Sequence, residues 1–267
     1  MMQPIALDQV KQIELEILRD IDAFCRKCNL RYQLNSGTLL GAIRHRGFIP
    51  WDDDIDIAMP REDYERFFIE YPLHSSGKFK LLSHRDKSSI YPFFKMVDPR
   101  TVVFEKYVNP HYQTGVWVDI FPLDLLPAND RPFKTCNRYQ MLYALATANP
   151  ETATSATRKL IKKLTTPLFE RIDIYAAAAK MDEVARNAGD GACTDRGMLL
   201  FGYGPCERQP SSVLDSIEVE FEGELFFAPR DYDAYLTSLY DDYMTLPPAE
   251  KRTAHDFEAY WRLDGRA

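Results

Sequence analysis

The chain has 267 residues, 45% hydrophobic and 27% charged, enough apolar material for a full globular core. Its net charge is −7 and its pI is near 5.3, with no basic stripe interleaved with aromatics, so no nucleic-acid partner is expected. No run approaches 18 consecutive apolar residues, and the charged N-terminal stretch offers no apolar signal segment, so neither a membrane span nor export is expected. Five scattered cysteines, an odd number, point with that to a reducing cytoplasm.

Along the chain, Val10, Ile13, Ile17, Leu18, Ile21, Phe24, Cys25 and Cys28 recur at three- and four-residue steps and predict an amphipathic helix over 7–28. Cys25 and Cys28 have a CxxC spacing, but they fall inside this stripe, where core packing is the simpler role. A short strand over 31–34 follows. Asn35 or Ser36 can cap a helix over 38–46, with Gly47 as its left-handed stop. Residues 54–59 read as a strand, and Pro60 opens a helix expected to end before Pro72. Further strands are expected over 78–83, 93–97, 102–105 and 115–121, and the stretch 130–190 is helical and Ala-rich. Strands return near 198–201, 217–221 and 224–227, the last two as a hairpin around Gly223, and a helix after Pro229 runs into a Pro-Pro loop. Helices of uneven length between the strands do not suggest a regular βαβ array. The simplest architecture is one α+β domain over 1–267, with a helical insertion at about 130–190 and a C-terminal element at about 198–260.

Asp52, Asp53, Asp54 and Asp56 crowd four carboxylates into five residues. Two carboxylates about 6 Å apart repel by about 3 kcal/mol at an effective dielectric near 20, so a cluster this dense asks for cations. Alternate strand residues share a face, so Asp54 and Asp56 form a two-ligand clamp while Ile55 and Ile57 face the core. Asp52 joins them if the strand begins early, and Asp53 points elsewhere, toward backbone or a basic side chain. Mg²⁺ or Mn²⁺ suits such hard oxygen ligands. A calcium-binding EF-hand fails on Ile57 and Asp63, which stand where that loop needs Gly and Glu. A two-metal phosphoryl-transfer site needs one more carboxylate, and Asp119 supplies it as the single charge in the apolar strand GVWVDIF. Asp124, after that strand, reads as a loop or cap residue. Ser36, Gly37 and Thr38 are small enough to let a phosphate approach the first amides of the following helix.

The order strand, small-residue turn, helix, Asp-Ile-Asp-Ile and distant Asp119 resembles the nucleotidyltransferase fold of the DNA polymerase β type, a mixed sheet flanked by helices. The string SGTLLGAIRHRGFIPWDDDIDI resembles more specifically the LicD family, which includes phosphocholine transferases of bacterial surface glycans and ribitol-phosphate transferases. FFKMVDPRTV, WVDIFPLD and FFAPRDYDAYLTSLYDDYMTLPPAEKRTAH extend the resemblance from about residue 34 to 255. Tyr240-Asp241-Asp242 departs from it, since the family more often has Gly at the middle position.

The resemblance implies transfer of a substituted phosphate, phosphocholine or similar, from CDP-choline or another CDP-alcohol to a hydroxyl, with CMP released. The acceptor would be a cell-surface glycan, lipopolysaccharide or teichoic acid precursor, reached by peripheral association with membrane-linked synthesis. Asp54 and Asp56, with Asp52, would hold Mg²⁺ against the donor diphosphate, and Asp119 would share a metal and orient or deprotonate the acceptor. Lys95 would neutralise charge on the transferred phosphate or on CMP. Arg44 and Arg46 sit at a helix C-terminus, where cations are favoured anyway, and Arg44 is also a candidate for phosphate or acceptor binding. Arg252 and His255 are candidates to reach the site from the C-terminal loop. The competing readings are transfer of a nucleoside monophosphate from an NTP, a glycosyltransferase, and a catalytically inactive glycan-binding relative.

Overall fold

The structure, a computed structural model, describes residues 2–152, 171–252 and 256–262. The first half runs β1 (Met2–Pro4), α1 (Leu7–Cys28), β2 (Gln33–Leu34), α2 (Ser36–His45), β3 (Asp56–Pro60), α3 (Arg61–His74), β4 (Lys80–Leu82), β5 (Phe94–Val97), β6 (Thr101–Glu105) and β7 (Trp117–Leu126). The second half runs α4 (Arg131–Thr147), α5 (Ile174–Arg186), β8 (Asp195–Gly197), β9 (Gln209–Pro210), β10 (Ser216–Phe221), β11 (Glu224–Pro229), α6 (Tyr232–Tyr240) and β12 (Phe257–Arg262). The architecture is α+β. His255 and residues 153–170 of the expected helical stretch lie outside the described residues.

α1 forms where its periodicity places it and ends on Asn29 in the left-handed conformation (φ 52°). Its apolar stripe is buried, Cys25 is fully enclosed, and Cys25 and Cys28 stay free thiols. The main sheet has the order β2-β3-β7-β5-β4. β7 is parallel to β3 and antiparallel to β5, and nearly all of it is buried, which explains its almost continuous apolar sequence.

β7 runs to Leu126, beyond the expected end at Phe121, because β8 pairs with its second half from Asp124 to Leu126. Asp124 is therefore a buried strand residue, not a loop or cap. Three other boundaries also move. α2 starts at Ser36, and its left-handed stop is Arg46 (φ 58°) rather than Gly47. A Cβ at Gly47 would stand 2.1 Å from Glu222 Oε1 in the β10–β11 turn, so a larger residue there has to displace that side chain from the Phe48 N–H it accepts from. α3 continues through Pro72 to His74, because a proline in the last turn forfeits a single helical hydrogen bond. The strand expected near 198–201 forms instead as β8, and Met198, Leu199 and Leu200 pack inward.

The hairpin β10–β11 forms around Glu222 (φ 51°) and Gly223 (φ 79°), the two positive φ values that a tight two-residue turn needs. β1 and β12, absent from the sequence reading, join β6 in a small sheet of order β1-β12-β6. α4 and α5 share an apolar cluster that includes Phe133, Tyr143, Met181 and Leu200. No described helix is long and apolar enough to cross a membrane.

Arg61 joins these parts. Its Nε and Nη2 donate to the two oxygens of Asp124 on β7 at 2.6 and 2.8 Å, and its Nη1 donates to Asp182 on α5 at 2.8 Å. Removing one partner of a buried ion pair strands the other charge, so Arg61→Met is expected to cost about 3–5 kcal/mol in urea unfolding. Adding Asp124→Leu should recover part of that loss; losses that simply add would show that the pair is not coupled.

Candidate functional site

The registers of three neighbouring strands build the site's centre. Parallel pairing sets Asp56 of β3 opposite Asp119 of β7, and antiparallel pairing sets Lys95 of β5 on the other side of Asp119. Directly opposed residues share a face, so the row reads carboxylate, carboxylate, ammonium. Lys95 Nζ stands 2.8 Å from Asp119 Oδ1 and donates to Oδ2 at 3.0 Å, while Trp117 Nε1 donates to the same Oδ2 at 3.1 Å. Burial holds the Asp56 carboxyl well above the usual range, and Asp54 and Asp119 push it further. Burial also raises Asp119, against the pull of Lys95.

β3 begins at Asp56, so Asp52, Asp53 and Asp54 lie in the loop before it, and strand alternation does not govern them. This corrects the placement of Asp53. It is buried, and one carboxylate oxygen from each of Asp52, Asp53 and Asp54 falls within 4.8 Å of the others. Gly37 lies close beside them, and a Cβ there would approach Asp52 Oδ2 to 2.8 Å and push that carboxylate aside.

Ser36 and Thr38 differ from their expected phosphate-facing role. Ser36 is buried at φ 46° and its Oγ accepts from Asn35 Nδ2 at 3.1 Å. Thr38 Oγ1 accepts from the Asp56 N–H at 2.8 Å and so ties α2 to the start of β3. Asn35, the residue before the helix, makes no side-chain cap; its Oδ1 accepts instead from the Tyr235 hydroxyl at 2.7 Å.

Two cavities open on the carboxylate wall. One, of about 380 Å³, is lined by Gly37, Arg44, Trp51, Asp52, Tyr203 and Tyr240 together with Asp54 and Asp56. The other, of about 520 Å³, is lined by Lys95, Asp119, Tyr91, Glu105, Trp117 and Phe201, again with Asp54 and Asp56. Arg44 Nη1 donates to the Tyr243 carbonyl at 2.6 Å, and burial lowers its pKa. Arg252 stacks over Trp51 at 4.9 Å on the margin of the first cavity.

The sequence reading passed over two buried acids. Glu14 of α1 is 1% exposed, its Oε2 has no hydrogen-bond partner among the described residues, and its pKa is raised by burial first and then by Asp54, Asp53 and Asp52. The signal was present, since a carboxylate sits on the apolar stripe between Ile13 and Ile17. Glu207 accepts from the Tyr203 N–H at 3.1 Å and from the Tyr235 hydroxyl at 3.2 Å, yet burial pushes its pKa up to about 7. Its contact with Tyr235 is tertiary, and no local pattern marks it. The carboxylates of Asp52, Asp53 and Asp54 make an all-oxygen donor set whose chemistry suits a hard divalent cation, and Asp56 and Asp119 stand opposite one another on the adjoining strands.

Residues 29–137 match the family described as LicD/FKTN/FKRP, nucleotidyltransferase domain. Over those residues the chain is similar to that family. The lipopolysaccharide cholinephosphotransferase LicD of Haemophilus influenzae is 29% identical over 271 residues, which cover 97% of this chain and 99% of that protein. The ribitol 5-phosphate transferase FKRP of Mus musculus is 29% identical over 113 residues, 38% of this chain and 19% of that protein. The LicD-type segment holds α2, the aspartate cluster, Lys95 and Asp119, whereas Glu14, Phe201, Glu207 and Tyr240 come from outside it.

Glu207 keeps its proton in the folded state up to about pH 7 but loses it near 4.5 when unfolded. The folded state then binds more protons than the unfolded one, so this group's contribution falls as pH rises through that window. Urea unfolding at pH 5 and pH 8 should show a loss of up to about 3 kcal/mol from this source, and Glu207→Gln should remove it. An unchanged pH dependence in the variant would reject the assignment.

Proposed function

We propose that the protein is a metal-dependent phosphotransferase that moves a substituted phosphate from a CDP-linked donor to a glycan hydroxyl and releases CMP. The observation that carries this reading is the Asp56–Asp119–Lys95 row standing between two cavities that share Asp54 and Asp56. The name of the Haemophilus relative motivates the choice of phosphocholine and of a lipopolysaccharide-type acceptor. The arrangement of α2, β3 and β7 suits a nucleotidyltransferase-like core, and we read residues 1–267 as one catalytic unit acting at the cytoplasmic periphery of membrane-linked glycan synthesis.

Asp52, Asp54 and Asp56 would hold Mg²⁺ or Mn²⁺, with Asp119 as a further ligand from β7. A bound cation supplies charge neutralisation for the donor diphosphate and for the leaving phosphate. The cavity with Gly37, Arg44, Trp51 and Tyr240 suits CMP, with ring faces for the base and α2's first turn for phosphate. Asp119, its orientation held by Lys95 and Trp117, positions the acceptor hydroxyl and takes its proton. The acceptor oxygen then forms a bond to the phosphorus that carries the head group, the anhydride P–O bond breaks, and CMP departs. Lys95 Nζ faces the charge that gathers on the non-bridging oxygens.

Labelled CDP-choline, Mg²⁺ and glycan extract should yield CMP, with chelation stopping the reaction and Mg²⁺ restoring it. Asp56→Asn and Asp119→Asn are each expected to lower turnover by about a thousandfold, and Lys95→Met by about a hundredfold. Full activity in either aspartate variant would sink the reading, and pyrophosphate release from an NTP in place of CMP would favour nucleotidyl transfer.

A further inference from the structure

α4 buries one face and leaves the other to solvent. Phe133, Cys136, Tyr143 and Thr147 pack inward, while Lys134, Arg138, Met141 and Leu145 are exposed and follow one another at four- and three-residue steps, a single stripe along the helix. The stripe changes character along its length. Cations fill its first half, with exposed Arg131 beside them, and apolar side chains fill the second, where Met141 is 67% exposed and Leu142 and Leu145 are each 45% exposed. Large apolar side chains on adjacent turns form a patch, which marks an interaction surface more than scattered exposure would.

Charge indicates what covers the patch. α4 contains no Asp or Glu, in a chain of net charge −7, and among the described residues Arg131, Lys134 and Arg138 form no side-chain ion pair. Exposed cations elsewhere are matched locally, Arg19 with Glu224, Lys78 with Glu16 and Lys106 with Asp256. The sequence RKLIKKL at 158–164 adds Lys and Arg between aliphatic residues, so this part of the chain is basic and apolar while the whole is acidic. Unpaired cations beside aliphatic side chains, with no ring or carboxylate on the stripe to fix an orientation, match a surface that is anionic outside and apolar beneath.

We propose that the outward face of α4 docks on an anionic lipid surface, its cations against head-group phosphates and Met141, Leu142 and Leu145 at the start of the acyl layer. Tyr143, Ala144, Thr147 and Ala148, at the same end of the helix, line the cavity that holds Asp119. The Asn149 N–H donates to the Tyr107 carbonyl at 2.8 Å and fastens this end beside Tyr107, which is 59% exposed and lines the cavity as well. Docking therefore holds the Asp119 cavity about one helix thickness, roughly 10 Å, from the lipid surface. That a membrane-linked hydroxyl enters there rests on the transfer reading, whereas the docking is a property of the helix face.

The test is co-sedimentation of the full chain with vesicles of phosphatidylcholine alone and of phosphatidylcholine with about one-third phosphatidylglycerol. The wild type is expected to bind the anionic vesicles about tenfold more tightly than the neutral ones, and about 0.5 M NaCl should release it. Lys134→Glu with Arg138→Glu, and Met141→Gln with Leu145→Gln, should each weaken binding about tenfold. Ile69→Gln with Leu73→Gln, at an exposed apolar pair on α3, should leave it within twofold, and an unchanged thermal midpoint in each variant reports an intact fold. Absent binding by the wild type, equal binding to neutral vesicles, or binding that survives both α4 double substitutions overturns the docking. A wild-type dimer that Met141→Gln with Leu145→Gln dissolves, without vesicle binding, assigns the face to a second copy and also overturns it. Vesicle binding that depends on α4, with no CMP release from CDP-choline, keeps the docking and overturns the transfer reading. CMP release on glycan extract with no vesicle binding does the reverse.

Discussion

Asp52, Asp53, Asp54 and Asp56, with Glu14 behind them and Asp119 beside them, gather negative charge where burial weakens the screening that water would give. Each unrelieved pair at about 6 Å costs about 3 kcal/mol at an effective dielectric near 20, against a net stability of about 5–15 kcal/mol for a whole domain. The fold answers this in two visible ways. Asp56, Asp119 and Glu14 have pKa values raised by burial and, for Asp56 and Glu14, by neighbouring carboxylates, so protons bind them more tightly than usual. Lys95 is placed against Asp119, where it offsets part of the charge without closing the cavity.

Holding like charges together requires a frame that does not yield. β7 provides it, buried along nearly its whole length and paired on both sides, so Asp119 cannot move away from Asp56 without breaking two ladders. The second half of the same strand carries Asp124, which Arg61 links to Asp182 on α5. Thr38 fastens α2 to the first residue of β3, and the Asn35–Tyr235–Glu207 chain ties the entrance of α2 to α6 and the loop before β9. Backbone strain at Ser36 and the close approach of Gly37 to Asp52 are local consequences of bringing a helix start against a carboxylate loop.

The carboxylate wall separates two environments of different character. On one side Gly37, Arg44 and Trp51 line a cavity with a cation and a ring face. On the other, Tyr91, Phe93, Tyr143 and Phe201 line a cavity that also holds Lys95, Asp119 and Glu105. Phe201 and Tyr240 lie outside the LicD-type segment, so both cavities draw walls from the C-terminal half of the chain.

Periodicity and residue spacing alone were enough to locate α1, most of the central strands, the β10–β11 hairpin and the acidic run before β3, because those signals depend on neighbours within a few residues. They were also enough to single out Asp119, since a lone charge in an apolar strand is costly wherever that strand is buried. Boundaries failed where a distant segment decided them: β8 lengthened β7 past Phe121, and the left-handed stop of α2 fell on Arg46 rather than Gly47. The sequence by itself thus determined which carboxylates were available and which elements would carry them. Only the tertiary structure decided that Asp53 joins the cluster, that Ser36 and Thr38 turn inward, and that Asp56, Asp119 and Lys95 stand in one row. Strand register is a relation between segments far apart in the chain, settled by which apolar faces bury together, and no local pattern contains it.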